Sequence, residues 1–158
     1  MSKAKPIFSL PTLYKITHDL KGQGKKIAIT HGAFDLFHTS HLDLLKKSAS
    51  LCDFLIVGID CDAHVSSYKT YKRPIVDELS RASIINELNC VDATFIYDGE
   101  FSQGGYTQMY HDLFVDTVTI GLNFSFQNII EEQVAQSGAR LVMLRTQQYP
   151  ISALLMSL

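Results

Sequence analysis

Residues 26–59 have the sequence KIAITHGAFDLFHTSHLDLLKKSASLCDFLIVGI. Its first part, Lys26–Thr30, is a short run rich in β-forming residues, and apolar residues then recur at helical spacing from His38 to Leu51. Phe54–Ile59 is an almost unbroken apolar run, which is typical of a strand buried on both faces of a parallel sheet. The stretch therefore predicts a strand, a helix and a second strand, connected as in α/β proteins.

The same alternation continues along the chain. Further strands are predicted at Ala93–Tyr97, Val115–Ile120 and Arg140–Leu144. The predicted helices are one ending at Gly22, one over Asp77–Asn89, a weaker one from Gly105 to Phe114, and one from an N-cap at Ser125 to Gly138. Parallel strands joined by helical crossovers form one α/β domain. We therefore predict a doubly wound, Rossmann-like, five-stranded parallel sheet with helices on both faces.

The composition is that of a globular protein. Of the 158 residues, 46% are hydrophobic and 19% are charged, which excludes a disordered or fibrous chain. We predict a single domain over residues 1–158, with a helical lead-in at 1–25, the core sheet at 26–145 and a C-terminal tail at 146–158.

Charge and cysteine content limit the classes of partner and compartment. Fourteen Lys and Arg against sixteen Asp and Glu give a net charge of −2, so no nucleic-acid partner is expected. No apolar run reaches the ~18 residues of a spanning helix, and the N-terminal lysines lack the apolar segment of a secretory signal, so no membrane partner is expected. Cys52, Cys61 and Cys90 form no C-x-x-C pair, which favours reduced thiols and a cytoplasmic location.

The loop after the first strand carries the first candidate site. Ligands of doubly wound sheets bind at the carboxyl ends of strands. His38 and His41 stand three residues apart at a helix start, beside unpaired amides and the positive end of the helix dipole. Gly32 would allow a tight turn, and Asp35 would accept hydrogen bonds from the loop. The pattern predicts an anion site, and the alternative is a pair of capping or surface histidines.

Zinc binding by His38 and His41 is disfavoured. Zinc needs three or four N, S or O ligands, and neither a cysteine nor a third histidine lies at a useful spacing. We therefore predict no protein metal site.

The loop predicted after the second strand carries the second candidate site. Lys69, Lys72 and Arg73 place three cations in five positions, and Arg81 follows at the start of the next helix. In a chain of net charge −2 this is a local positive concentration of the kind that a polyphosphate requires. The alternative is a solvated basic loop. Both clusters fall at the same edge of the predicted sheet.

Residues 32–41, GAFDLFHTSH, resemble the G-x-F-D-x-x-H-x-G-H signature of the cytidylyltransferase-like nucleotidylyltransferases. The resemblance covers about residues 8–145. Within the family, the chain looks most like the adenylyltransferase part of the bifunctional ADP-heptose synthase, and glycerol-3-phosphate cytidylyltransferase is a more distant likeness. The other matching residues are Val57-Gly58-Ile59-Asp60, Asp62, Lys69, Arg73-Pro74, Arg81, Val91-Asp92 and Gly121.

The resemblance implies transfer of a nucleoside monophosphate from ATP or CTP to a phosphorylated sugar or polyol, with release of pyrophosphate. His38 and His41 would donate hydrogen bonds to phosphates. Lys69 and Arg73 would hold the acceptor or the α-phosphate, and Arg81 would contact the β- and γ-phosphates.

The resemblance also implies a nucleotide site, a cofactor and an assembly. Mg²⁺ would arrive with the NTP, the other partner would be a phosphorylated small molecule, and the protein would be a homodimer. The residues implied to bind the nucleotide are Thr30, Gly32, Ala33, Phe34, Asp35, Gly121, Asn123 and Ser152.

Two departures from the family pattern leave other interpretations open. Ser40 stands where the signature has glycine, which adds a side chain where the nucleotide would lie close to the backbone. The tail matches only one hydroxyl of the family's I-S-S/T-T-x-I-R segment and lacks its arginine. The alternatives are a nucleotide-binding relative with weak or lost catalysis, and a carrier of another phosphorylated ligand on the same fold.

Overall fold

The computed structural model describes residues 4–69, 72–99, 104–122 and 124–147. Within these residues the strands form one six-stranded sheet with helices on both of its faces. The elements in chain order are β1 (Ile7–Phe8), α1 (Leu10–Gly22), β2 (Ile27–Gly32), α2 (Thr39–Ala49), β3 (Phe54–Asp60), α3 (Asp62–Tyr68), α4 (Glu78–Asn86), β4 (Ala93–Tyr97), α5 (Gly105–Asp112), β5 (Thr117–Gly121), α6 (Gln127–Ser137) and β6 (Arg140–Leu144).

The strand order is β1-β4-β3-β2-β5-β6, and each neighbouring pair is parallel. The chain runs outward from β2 through β3 to β4, and then returns to the other side of β2 to form β5 and β6. The order therefore reverses between β2 and β5, and a cleft opens at the carboxyl ends of these two strands. The predicted doubly wound α/β fold is confirmed.

The prediction of five strands is wrong by one, because β1 was missed. Ile7 and Phe8 pair with Thr94 and Phe95 at the edge of the sheet. Two residues are too few to show an alternation of polar and apolar side chains, so no periodicity marks this strand. The sheet consequently begins within the predicted lead-in at residues 1–25.

Two helix predictions also differ from the structure. The segment after β3, which we predicted as a loop, begins with the seven-residue helix α3. Val65 is its one buried residue, so the sequence shows no repeating apolar stripe. Ser125 is not the N-cap of α6, because Phe126 occupies that position and makes no side-chain cap.

The core lies in two layers, one on each face of the sheet. Ile27 and Ile29 point into the layer formed with α1, α5 and α6. Ala28, between them in β2, points into the layer formed with α2 and α4. Burial of each Val, Leu, Ile or Phe side chain contributes about 1.5–3 kcal/mol to folding. The central strand is therefore covered on both faces, and its carboxyl end projects from the core into the cleft.

None of the helices in the described residues is long and apolar enough to span a membrane.

Candidate active site

The loop after β2 is held by the carboxylate of Asp35. This buried carboxylate accepts hydrogen bonds from the amides of Ile75 at 2.9 Å and Val76 at 3.0 Å, and the Nε atom of Arg73 lies 2.8 Å from its Oδ2 atom. Burial alone would raise the pKa of Asp35, but the two amides and the guanidinium groups of Arg73 and Arg81 outweigh it and lower that pKa. The ionised carboxylate thus ties this loop to the one before α4.

The tight turn that we assigned to Gly32 is made two and four residues later. Gly32 ends β2, whereas Phe34 and Leu36 have φ angles of 50° and 51°. A non-glycine residue adopts this left-handed conformation only where its surroundings favour it. The ring of Phe34 is buried beside Leu45 and packs edge-on against His41, with 5.4 Å between ring centroids. Side-chain packing therefore fixes the shape of the loop.

The two histidines form reciprocal caps at the start of α2. The Nδ1 atom of His38 accepts a hydrogen bond from the Ser40 amide at 3.2 Å, and the Nδ1 atom of His41 accepts one from the His38 amide at 3.3 Å. Their rings stack with 3.9 Å between centroids. Because an accepting Nδ1 carries no proton, the proton of each neutral ring is on Nε2. Both histidines therefore cap α2, and the proton of each neutral ring is on its Nε2 atom.

Burial keeps both imidazoles neutral. It lowers the pKa of His41 to about 4, with His38 and Lys69 adding to the shift and Asp35 opposing it. Burial also lowers the pKa of His38. At neutral pH the pair therefore offers two uncharged donors at the positive end of the α2 dipole.

The segment after α3 contributes two cations, Lys69 and Arg73, to the cavity that the histidines line. Lys69 follows the last residue of α3, and burial lowers the pKa of its ammonium group, with Arg73 adding to the shift. Arg73 is 17% exposed and is oriented by its ion pair with Asp35. These two cations line the same cavity as the histidine pair.

This cavity, of about 500 Å³, lies between the loops that follow β2 and β5. We call it the cleft cavity. Among the residues that the structure describes, every predicted site residue except Arg81 lines it. They are Thr30, Gly32, Ala33, Phe34, Asp35, His38, His41, Lys69, Arg73 and Gly121. Asn123 and Ser152 lie outside the described residues.

Arg81 lies behind the loop and does not line the cleft cavity. Its side chain is 1% exposed. Nε donates to the carbonyl of Val76 at 2.8 Å, Nη1 to the carbonyl of Ala33 at 2.6 Å, and Nη2 to Asp62 at 2.7 Å. Its contact with the β- and γ-phosphates stays a prediction, and the observed bonds favour a positioning role.

Several residues of the site were missed in the sequence. Arg145, Thr146 and Gln147, directly after β6, line a second cavity of about 480 Å³ that shares His38 and His41 with the first. The sequence assigned residues 146 onward to a tail. The sequence did carry a signal for this segment. A cation and a hydroxyl, Arg145 and Thr146, stand immediately after the last strand, at the same edge of the sheet as the other loops.

Aromatic residues form another missed part of the site. Tyr68 at the end of α3 and Phe126 after β5 meet edge-on across the cleft cavity, with 5.0 Å between ring centroids. Tyr68 also donates a hydrogen bond to the buried Asp60 at 2.6 Å. Below them, burial lowers the pKa of His31 to about 4, and its ring stacks on Tyr106. The aromatic residues close after β5 could have been recognised in the sequence as candidate site residues. The tyrosines of α5 could not.

The donor set of the cleft cavity suits a polyanion. Two imidazoles, an ammonium and a guanidinium belong to residues that line it, and each of these groups can donate hydrogen bonds to an anion. Within the described residues, no group of three or more His, Cys, Asp or Glu side chains is placed to hold a metal ion. The lining therefore fits phosphate oxygens better than a bare cation.

Known proteins are similar to this chain in sequence and in fold. The chain is similar to "Bifunctional protein HldE" of Citrifermentans bemidjiense, with 32% identity over 124 residues that make up 78% of this chain and 25% of that protein. It is 32% identical to the protein of the same name in Desulfatibacillum aliphaticivorans over 144 residues, 90% of this chain and 28% of that one. The crystal structure of the lipopolysaccharide core biosynthesis protein from Thermoplasma volcanium is similar with a TM-score of 0.64 and 26% identity, over 80% of this chain and 99% of that one.

The chain spans about a quarter of the length of these two curated relatives. A sequence model of the family described as cytidylyltransferase-like matches residues 29–152. This range contains the loop after β2, both histidines, the basic segment and every other predicted site residue. Since the match covers most of the chain and the whole of the cleft cavity, the chain belongs to the cytidylyltransferase-like family.

Proposed function

We propose that this chain is a nucleotidylyltransferase that transfers a nucleoside monophosphate from ATP or CTP to a phosphorylated sugar or polyol. The observation that carries the proposal is the cleft cavity, which the two histidines at the start of α2 line together with Lys69 and Arg73. Membership of the family and the name of the lipopolysaccharide core biosynthesis protein support a transferase that acts on a sugar.

The reaction needs charge neutralisation more than proton transfer. A phosphate oxygen of the acceptor is already ionised at neutral pH and attacks the α-phosphorus of the NTP directly. A bond forms between that oxygen and the α-phosphorus, while the bond from the α-phosphorus to the bridging oxygen breaks, and pyrophosphate leaves with its electron pair. The protein contributes positioning and electrostatic stabilisation of the transferring group.

The histidine pair would act on the transferring phosphate. The Nε2–H groups of His38 and His41 are fixed by the amides that bond their Nδ1 atoms, so they need no reorganisation as negative charge develops. Because both rings are neutral, they would donate hydrogen bonds to the phosphate without losing a proton during turnover.

Lys69 and Arg73 would hold the acceptor phosphate or the α-phosphate. Arg73 is preorganised, because Asp35 fixes its guanidinium and is itself fixed by the amides of Ile75 and Val76. Arg145, at the edge of the second cavity, would supply a further cation. Asp35 and Arg81 act as positioning residues in this arrangement.

We propose that Mg²⁺ enters with the triphosphate. The donors of the cavity fit the phosphate oxygens that would remain outside the coordination shell of the ion, and Mg²⁺ would supply further positive charge at the β- and γ-phosphates. A homodimer, a cytoplasmic location and the lack of a nucleic-acid partner stay predictions, which sedimentation velocity, cell fractionation and a nucleic-acid binding assay would test.

The experiment is a panel of NTPs against sugar and polyol phosphates, read by pyrophosphate release and by the mass of the nucleoside-diphosphate product. We expect pyrophosphate release that depends on the acceptor. His41→Asn should lower kcat on the order of 10²–10³, because it removes a preorganised donor to the transition state. The matched control is His18→Asn, since His18 is exposed on α1 and lies away from the cavity.

Three outcomes would contradict the proposal. One is that no pair of substrates yields pyrophosphate, and another is that pyrophosphate release does not require an acceptor. The third is full activity of His41→Asn. Binding of NTP without turnover would favour the alternative of a nucleotide-binding relative without catalysis.

A further inference from the structure

The outer edge of α2 carries three polar side chains on one stripe. Ser40, Asp43 and Lys47 are three and four residues apart, so they project from the same side of the helix. All three contact the backbone of residues 145–147, the segment that follows the edge strand β6. We call these three side chains the α2 clamp.

The clamp satisfies three polar groups of that backbone. The hydroxyl of Ser40 donates to the carbonyl of Gln147, and the amide of Gln147 donates to Oδ2 of Asp43 at 3.0 Å. Nζ of Lys47 donates to the carbonyl of Arg145 at 2.7 Å. Nζ also pairs with Asp43 at 2.9 Å, so Asp43 and Lys47 hold each other in place.

The clamped segment is a wall of the site. Arg145, Thr146 and Gln147 line the second cavity together with His38 and His41. Ser40 lies between the two histidines, in the first turn of α2. The hydroxyl that donates to Gln147 is therefore attached to the same helical turn as the two histidines.

We propose that Ser40, Asp43 and Lys47 are positioning residues that hold the segment 145–147 against α2 and so preform the nucleotide side of the site. This inference rests on the proposed function. In this chain the serine that replaces the signature glycine is turned toward Gln147, where a glycine would have no hydroxyl to donate. Ser40 thereby contributes to nucleotide binding.

The clamp residues lie at the surface, so their role in positioning can be distinguished from a general role in folding. Ser40, Gln147 and the Asp43–Lys47 pair are at the surface, and exposed bonds of this kind contribute little to global stability. Loss of the clamp should therefore weaken nucleotide binding while leaving the melting temperature almost unchanged.

The test compares Ser40→Ala, Ser40→Thr and Asp43→Ala with the wild type. We expect Ser40→Ala to raise the Kd for Mg·ATP or Mg·CTP, and the KM for the same nucleotide, by about 3- to 10-fold, as for the loss of one hydrogen bond. The kcat should change less than about twofold, and Ser40→Thr, which keeps the hydroxyl, should restore the wild-type Kd. Ser50→Ala is the matched control, because this serine bonds only the end of its own helix.

A second readout needs no nucleotide. Hydrogen exchange at the Gln147 amide should be faster in Ser40→Ala and Asp43→Ala than in the wild type, and unchanged in Ser50→Ala. Wild-type Kd values in both clamp variants, or tighter binding by Ser40→Gly, would overturn the inference. If the wild type binds no NTP, the proposed function fails, and unchanged exchange at Gln147 would then overturn the clamp as well.

Discussion

The buried guanidinium of Arg81 connects three segments that converge on the cleft cavity. Its nitrogens bond the loop after β2 at Ala33, the segment before α4 at Val76 and the start of α3 at Asp62. A planar group with fixed donor directions can satisfy three such acceptors at once, which an ammonium cannot. The shape of the nucleotide loop therefore depends on a side chain that does not line the cavity.

Arg81→Lys should lower the free energy of unfolding by about 1–3 kcal/mol, because the ammonium cannot reach all three acceptors and leaves buried oxygens unsatisfied. Urea denaturation measures this change, and Arg140→Lys, at an exposed position of β6, is the control. Wild-type stability together with a large rise in the Kd for NTP would instead support direct contact of Arg81 with the phosphates.

At the scale of the elements, α6 supplies the cap that α5 lacks. Gly104, the N-cap of α5, has no side chain that could bond the first amides of the helix. Oε1 of the buried Gln133 accepts hydrogen bonds from the amides of Tyr106 at 2.9 Å and Thr107 at 3.2 Å. This bond pair fixes α5 against α6 and holds in place the tyrosines beneath the cleft cavity.

Gln133→Leu should lower the free energy of unfolding by about 1–3 kcal/mol, since two buried amides would lose their acceptor. Gln136→Leu is the matched control, because Gln136 lies on the exposed side of the same helix. Urea denaturation and hydrogen exchange at the Tyr106 amide report the change. Equal stability of Gln133→Leu and Gln136→Leu would show that the cap is dispensable.

Elements and site residues could be predicted where their signal is local. The buried strands β3 and β4 are mostly apolar runs, and Asp35, His38 and His41 lie within seven residues of one another, so the sequence alone indicates them. β1 and α3 are too short to show periodicity. The bonds from Gln133 to α5 and from α2 to residues 145–147 join residues far apart in the chain, and no local pattern encodes such pairings.

At the scale of the whole molecule, the fold buries neutral histidines at the carboxyl edge of the sheet. Burial holds the pKa of His31 and of His41 at about 4, below the ordinary value of 6.5. The unfolded chain therefore binds more protons than the folded one between these two pH values. Folding stability falls as the pH drops through this window, and these two groups leave it unchanged above the window.

The free energy of unfolding should therefore decrease between about pH 6.5 and pH 4 by up to ~1.4 kcal/mol per pH unit for each histidine. Urea denaturation at about pH 7, 6 and 5 measures the slope. His41→Asn should reduce this slope, because it removes one of the buried imidazoles. If the free energy of unfolding stays constant over this range, the folded and unfolded chains bind the same number of protons. The pKa values of the buried histidines would then not be lowered, which would contradict the prediction.

The proposed nucleotidyl transfer is tested most directly by following the α-phosphate of the nucleotide. The wild type is incubated with Mg²⁺, a sugar phosphate and NTP labelled at either the α- or the γ-phosphate, and the products are separated. The α-label should enter the nucleoside-diphosphate sugar, the γ-label should leave in pyrophosphate, and both products should form far more slowly in His41→Asn. Transfer of the γ-label to the acceptor, or release of the α-label as free nucleoside monophosphate, would contradict the proposed transfer.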